Sequence, residues 1–156
     1  MIYETHTNNK HINTMVPPDE VYESIQNHFE QTCIKTFAKI PYRWQSEVGS
    51  FLYGCHLTSS PLKLLLVRPT GGGKTLVFTS VAACIKGITL CITPLLSLGA
   101  DQVQKIMSKT SVTDKTIIGF HLDELTDAQL LDLKNYLSTL PFTTHKTIVL
   151  FSSPQR

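Results

Sequence analysis

Leu64-Leu65-Leu66-Val67-Arg68-Pro69-Thr70-Gly71-Gly72-Gly73-Lys74-Thr75 is an apolar run that passes straight into a glycine-rich loop closed by a lysine and a threonine. That order meets the requirements of a polyphosphate cradle. A buried strand would hold the loop rigidly, and three glycines let the backbone approach a ligand without Cβ clashes. The loop amides and the positive end of the following helix would then face the negative charge. Lys74 is placed to reach β- and γ-phosphates, and the Thr75 hydroxyl to hold Mg2+. Thr70, Gly71, Gly72, Gly73, Lys74 and Thr75 are the candidate nucleotide-binding residues. The common pattern G-x-x-x-x-G-K-[ST] has glycine where this chain has Arg68, so its first position is unmatched. The plain alternative is a flexible turn before a helix. Such a turn requires neither Lys-Thr after its last glycine nor an apolar strand before its first.

Outward from this loop the chain alternates between two periodicities. Leu64–Val67 reads as a strand and Lys74–Lys86 as a helix with Val77, Phe78, Val81 and Ile85 inward. Ile88–Thr93 reads as a strand and Leu95–Lys109 as a helix. Thr116–Phe120 is a third strand, followed by a helix over Thr126–Leu140 opened by the capping-box pair Thr126 and Gln129. Thr147–Phe151 is a fourth strand. Alternation at this spacing predicts an α/β fold of βαβ units, a parallel sheet covered by helices on both faces. Before the loop, Val21, Ile25, Phe29, Cys33 and Phe37 recur every four residues on a helix that Asp19 can cap and Pro41 stops. A second helix carries Trp44, Val48, Phe51, Leu52 and Cys55 on one face. Residues 1–18, rich in Thr, Asn and His and ending in Pro17-Pro18, read as a disordered leader. The expected organisation is a leader over 1–18, N-terminal helices over 19–61 and the phosphate-loop domain over 62–156.

Bulk composition narrows the class. A chain of 156 residues with 42% hydrophobic and 17% charged residues can build one packed core and is not a disordered tail. A net charge of +2 does not argue for nucleic-acid binding from composition, so any such surface must be local. Cys33, Cys55, Cys84 and Cys91 include no C-x-x-C pair, and the six histidines include no H-x-x-x-H pair, so a dedicated transition-metal site is not expected. No secretory signal and no membrane-spanning run is visible, which predicts an intracellular protein, nuclear or cytoplasmic, with no membrane partner.

A phosphate loop does not by itself separate kinases, GTPases, ATPases and helicases. Three further segments bear on that choice. Thr93-Pro94-Leu95-Leu96-Ser97-Leu98, then Asp101-Gln102, sit where a strand gives way to a helix, and such a helix start offers amides and hydroxyls to a nucleic-acid phosphate. Taken alone, that segment is better explained by capping by Thr93 and Ser97 and packing of Leu95, Leu96 and Leu98. Ser153 and Arg156 follow the last strand at the carboxyl edge of the sheet, where ligands of open α/β sheets bind. Gln45, in Pro41-Tyr42-Arg43-Trp44-Gln45, carries an amide suited to the two-faced edge of adenine, whereas Trp44 reads as core.

With these segments in hand, residues 37–156 resemble the first RecA-like domain of superfamily 2 helicases, and most of all the RecQ family of DNA helicases. Pro69-Thr70-Gly71-Gly72-Gly73-Lys74-Thr75 is similar to that family's first motif, P-T-G-G-G-K-[ST]. Thr93–Leu98 with Asp101-Gln102 resembles its S-P-L-x-S-L-x-x-D-Q segment, and Ser153-Pro154-Gln155-Arg156 its T-P-E-R segment, with Gln155 in the glutamate's place. Pro41 and Gln45 keep the P-x-x-x-Q spacing of an adenine-reading motif; the family's F-R-x-x-Q would put arginine at Tyr42, and here it is Arg43.

The resemblance implies a P-loop NTPase fold, ATP and Mg2+ as cofactors, adenine read by Gln45, and single-stranded nucleic acid, DNA in this family, at Thr93, Ser97, Gln102, Ser153 and Arg156. It also implies a D-E-x-H motif after the T-P-E-R-like segment and a second motor domain, so the RecA-like sheet is expected to be incomplete and the chain to be the N-terminal part of a helicase. Asp123-Glu124 follows a strand but precedes that segment and continues into Leu125-Thr126, so it reads as a solvated turn. The alternatives are a non-catalytic P-loop binding module and a different P-loop NTPase or small-molecule kinase, for which no acceptor lid or general base is evident.

Overall fold

The computed structural model describes residues 19–60, 63–94, 96–109, 116–140 and 145–154; the expected leader, Leu95, Gln155 and Arg156 lie outside it. Helix α1 spans Asp19–Phe37, and the four-residue spacing puts Ile25, Phe29, Cys33 and Phe37 in the core while Val21 stays exposed. The helix ends before the expected stop at Pro41, because Ala38 takes a left-handed φ of 50° and its N–H closes onto the Ile34 carbonyl at 3.0 Å. Helix α2 spans Arg43–Leu57. Helix α3, Lys74–Ile85, starts at the glycine loop. Strand β1 (Gly87–Ile92), helix α4 (Leu96–Lys109), strand β2 (Ile117–His121), a single 3-10 turn (Leu122–Glu124), helix α5 (Asp127–Thr139) and strand β3 (Thr147–Ser152) complete the order.

Three parallel strands form one sheet in the order β1-β3-β2. Register puts Cys91, Phe151 and His121 side by side, and Thr89, Val149 and Gly119 likewise. Partners in register share a face, and that face is covered by α3 and α4. Phe78 meets Phe151 edge to face at 6.4 Å between centroids, and Ala82, Ile106, Ile117, Val149 and Phe151 share one cluster with Phe37. Helix α3 is used on its other side as well. Val77, Val81 and Cys84 join Phe29, Cys33 and Val48 in a second cluster with α1 and α2. Burial pushes the Cys33 and Cys91 thiols up to about 11, so both stay protonated and unreactive near neutral pH.

The expected strand at Leu64–Val67 is extended but joins no ladder. Leu64 and Leu66 pack on the cluster of α1, α2 and α3, which draws the segment onto the helices, and Leu65 and Val67 stand 75% and 79% exposed. Coverage of the two sheet faces is also unequal. On the face away from α3, Ile88, Leu90 and Ile92 of β1 are all more than half exposed, while Phe120 of β2 shares an open cleft with Leu133 and Tyr136 of α5. The helical capping box at Thr126 and Gln129 forms as read, with the Thr126 N–H donating to Gln129 Oε1 at 2.9 Å.

Gly49 on α2 is the tightest point between α1 and α2, since a Cβ there would lie 2.1 Å from the Phe29 ring, which is fully buried. Gly49→Ala must push that ring into a filled core, an overpacking that costs about 1–3 kcal/mol. Urea unfolding should show a lower midpoint for Gly49→Ala, with Gly54→Ala, whose Cβ would meet Ile25 at an ordinary 3.6 Å, near wild type.

Candidate nucleotide and nucleic-acid site

The glycine loop is held by its own turn and by one buried side chain. Gly72 N–H donates to the Pro69 carbonyl at 3.1 Å, and Gly71 and Gly73 sit at φ 79° and 81°, where a side chain would be strained. Gly73 is the N-cap of α3 and supplies no side chain, so the helix starts without a side-chain cap. An uncapped helix start presents amide donors and the positive end of the dipole to an anion. Lys74 Nζ donates to the carbonyls of Arg68 at 2.8 Å and Pro69 at 2.9 Å, folding the lysine back along the loop. Thr75, next in the first turn, is half-buried, and its carbonyl accepts the Thr79 hydroxyl at 2.7 Å. Thr70 sits exposed in the turn itself.

Gln45 braces this loop from the side. The residue is buried, its Nε2 donates to the Gly73 carbonyl at 2.9 Å, and its Oε1 accepts the Tyr42 N–H at 2.7 Å. The amide expected to meet adenine is thus shared between the start of α2 and the last residue of the phosphate loop. A Cβ on Gly73 would sit 2.5 Å from Gln45 Nε2, so the third glycine is needed for this contact as well as for its φ. Arg68, the residue in the unmatched glycine position, places its guanidinium 4.5 Å from the centre of the Trp44 ring. Nothing in the sequence pairs those two residues; Trp44, read as core, is half-buried against the cluster of α1, α2 and α3.

The nucleic-acid candidates gather at the carboxyl edge of the sheet. Thr93 follows β1 and its N–H donates to the Ser152 carbonyl at 2.8 Å, which locks it beside the end of β3. Ser97 is exposed in the first turn of α4. Gln102, one turn further, is buried, and its Oε1 has no hydrogen-bond partner. Ser153 is buried just beyond β3. The structure therefore brings Thr93 and Ser153 to one edge, with Ser97 and Gln102 on the helix that leaves it.

Asp123 overturns half of the solvated-turn reading. Glu124 is 63% exposed at its side chain, but Asp123 is only 9% exposed, and it accepts both the Ser153 N–H at 2.7 Å and the Ser153 hydroxyl at 2.9 Å. The 3-10 turn Leu122–Glu124 directs the carboxylate inward to these donors. His121 is buried next to it, Nε2 3.4 Å from Asp123 Oδ2 and Nδ1 3.2 Å from Glu124 Oε1, with neither nitrogen in hydrogen-bond alignment. Among the described residues no group of His, Cys, Asp and Glu could hold a metal ion, and no helix is long and apolar enough to cross a membrane.

Short stretches of the chain are similar to RecQ-family helicases. Ninety-two residues are 30% identical to the ATP-dependent DNA helicase RecQ of Haemophilus influenzae, covering 59% of this chain and 13% of that protein. Forty-eight residues are 46% identical to ATP-dependent DNA helicase Q1 of Mus musculus, covering 31% of this chain and 7% of that protein. Forty-two residues are 48% identical to the RecQ helicase of Synechocystis, covering 27% and 9%. The chain thus spans 13% or less of the length of these relatives, and its resemblance to RecQ-family helicases is shown over short stretches. No protein-family model and no solved structure matches it.

Removing the Gln45 amide deletes the only side-chain hydrogen bond onto Gly73 among the described residues, while the Gly73 carbonyl keeps the Leu76 N–H at 3.2 Å. Loss of one such intramolecular hydrogen bond costs about 0.5–1.5 kcal/mol. Gln45→Ala should speed amide hydrogen exchange across Gly71–Thr75 while exchange in β3 stays slow; uniform acceleration over both would show that Gln45 supports the whole fold and not the loop.

Proposed function

We propose that this chain binds ATP with Mg2+ at the loop Thr70–Thr75 and single-stranded DNA along Thr93, Ser97, Gln102 and Ser153, as part of an ATP-dependent, RecQ-like DNA helicase acting inside the cell. The observation that carries the reading is the glycine loop with Lys74 and Thr75 at the uncapped start of α3. Amides at a helix start and a flexible lysine are the groups a triphosphate requires. The residues fit the absent nucleotide in a second respect. Lys74 is held only by two backbone carbonyls, partners a phosphate oxygen can replace. Bound Mg2+ would draw on the Thr75 hydroxyl and would neutralise charge between phosphates. Gln45 fixes the last loop residue, so the amides of α3 keep their direction when the lysine moves. Arg68 on Trp44 stiffens the other end of the loop.

The DNA part of the reading is supported by the edge that collects Thr93 and Ser153, and by Gln102, whose buried amide oxygen is left with a vacant acceptor site. Hydroxyls, amides and a helix start suit phosphate and sugar contacts, which position a strand without reading its sequence. Asp123-Glu124 does not serve as a hydrolytic pair in this arrangement, since both oxygens of Asp123 are engaged by Ser153. The kinase alternative gains no support, because no element among the described residues forms a lid over the loop.

Titration of a fluorescent ATP analogue in the presence of Mg2+ tests the core of this proposal. Lys74→Ala removes the point charge opposite the triphosphate while the backbone cradle persists, so its affinity should fall at least about tenfold, equivalent to about 1.4 kcal/mol. Equal affinity for wild type and Lys74→Ala would overturn the assignment of the loop.

A further inference from the structure

We propose that Asp123, backed by His121, is a positioning residue that sets Ser153 against the start of α4 and so shapes the strand-binding edge; this rests on the DNA reading above. Three contacts make the case. Asp123 takes both the N–H and the hydroxyl of Ser153, so one carboxylate fixes the backbone and the side chain of the same residue. His121, the last residue of β2, lies against that carboxylate at 3.4 Å. The same ring abuts Gly99 in α4, where a Cβ would fall 2.5 Å from Nε2 and 2.6 Å from Cδ2. Gly99 is two residues after Ser97 and three before Gln102.

The chain of contacts therefore runs from α4 through His121 and Asp123 to Ser153, and it joins the two segments that the sequence singled out separately. A backbone bond from the Thr93 N–H to the Ser152 carbonyl links the two segments as well. With its N–H and its hydroxyl proton both engaged by the carboxylate, Ser153 keeps no donor for a phosphate oxygen, so Asp123 acts by fixing the turn after β3 against α4 and not by presenting that hydroxyl. A carboxylate is the stronger choice for this, since hydrogen bonds to an ionised acceptor are roughly twice as strong as neutral ones. The order of contacts excludes a hydrolytic triad. Asp123 stands between His121 and Ser153, so the carboxylate and not the imidazole meets the Ser153 hydroxyl, the reverse of the order a serine–histidine–aspartate triad requires.

The test uses a labelled oligothymidylate in a polarisation titration and the fluorescent ATP analogue in parallel, on wild type, Asp123→Ala and Asp123→Asn. Asp123→Ala should bind the oligonucleotide about tenfold more weakly while nucleotide affinity stays unchanged, because the glycine loop is held by Gln45 and by its own carbonyls. Asp123→Asn keeps an acceptor oxygen for Ser153 and should recover most of the lost strand affinity. Equal weakening of nucleotide and strand binding by Asp123→Ala would mean a general structural role and would overturn the inference. Failure of Asp123→Asn to recover, or unchanged strand affinity in Asp123→Ala, would overturn it too while leaving the DNA reading in place. Absence of oligonucleotide binding by wild type would instead remove the DNA reading and the inference together.

Discussion

Helix α3 has no face to give to water. Ala82 and Phe78 lie with the sheet while Val77, Val81 and Cys84 lie with α1 and α2, so the helix is the shared wall of both cores. Burying a helix on two sides fixes its axis and its rotation, because either core resists repacking at the level of single methylenes. Its first residue is Lys74. The loop that precedes it has no freedom to move except by its own φ and ψ, and Gly71 and Gly73 supply those. A ligand at the start of α3 thus meets donors whose direction was settled by packing on the far side of the helix. Even the Ser80 hydroxyl on this helix is used inward, accepting from the Cys33 thiol at 3.2 Å.

Much of this was legible because it rests on periodicity. The four-residue recurrence of Ile25, Phe29, Cys33 and Phe37 and the alternation of strands with helices are local signals, and they placed α3, α4 and α5 to within a residue at each end, while α1 stops at Phe37, short of Pro41. What escaped was tertiary. Leu64–Val67 has the continuous apolar composition of a strand buried on both faces, and composition does not tell whether a neighbour pairs with it. In the structure it covers the helices with Leu64 and Leu66 and turns Leu65 and Val67 outward. Asp123 escaped for the opposite reason. Next to Glu124 and a capping box it has the surroundings of a surface turn, and its partner lies thirty positions away. No spacing rule connects those residues.

The same mismatch of composition and burial appears on β1. Ile88, Leu90 and Ile92 have the side chains of a covered strand and are more than half exposed, on an edge that has no paired strand among the described residues. The register explains why only this strand shows it. Leu150 and Phe120, in line with Leu90 on the same face, are half-buried, so exposure is confined to the outer strand. An apolar row beside an unpaired edge is a surface with a strong tendency to associate. The glycine loop precedes α3, whereas Ile92 of this row is followed directly by Thr93, at the carboxyl edge proposed for nucleic acid.

Gln45 and Asp123 then look like two solutions of one problem. A loop that must present amides or hydroxyls to a ligand cannot satisfy them in a ladder or a helix, and it needs a brace that leaves the presenting groups alone. Gln45 reaches the Gly73 carbonyl, the group of that residue that points away from an anion, and so leaves the amides of α3 unopposed. Asp123 works differently: it takes the Ser153 N–H and the hydroxyl proton, so it fixes the turn after β3 itself. The two choices follow from charge. Beside a triphosphate a neutral amide adds no repulsion, where a carboxylate in the same place would oppose the ligand. At Ser153 the carboxylate is buried and both its oxygens accept from donors, so its charge is met by hydrogen bonds inside the fold. Exchanging the two side chains, a glutamate at 45 or an asparagine at 123, would therefore have unequal consequences: the first places a negative charge against the phosphate loop, and the second only weakens a hydrogen bond.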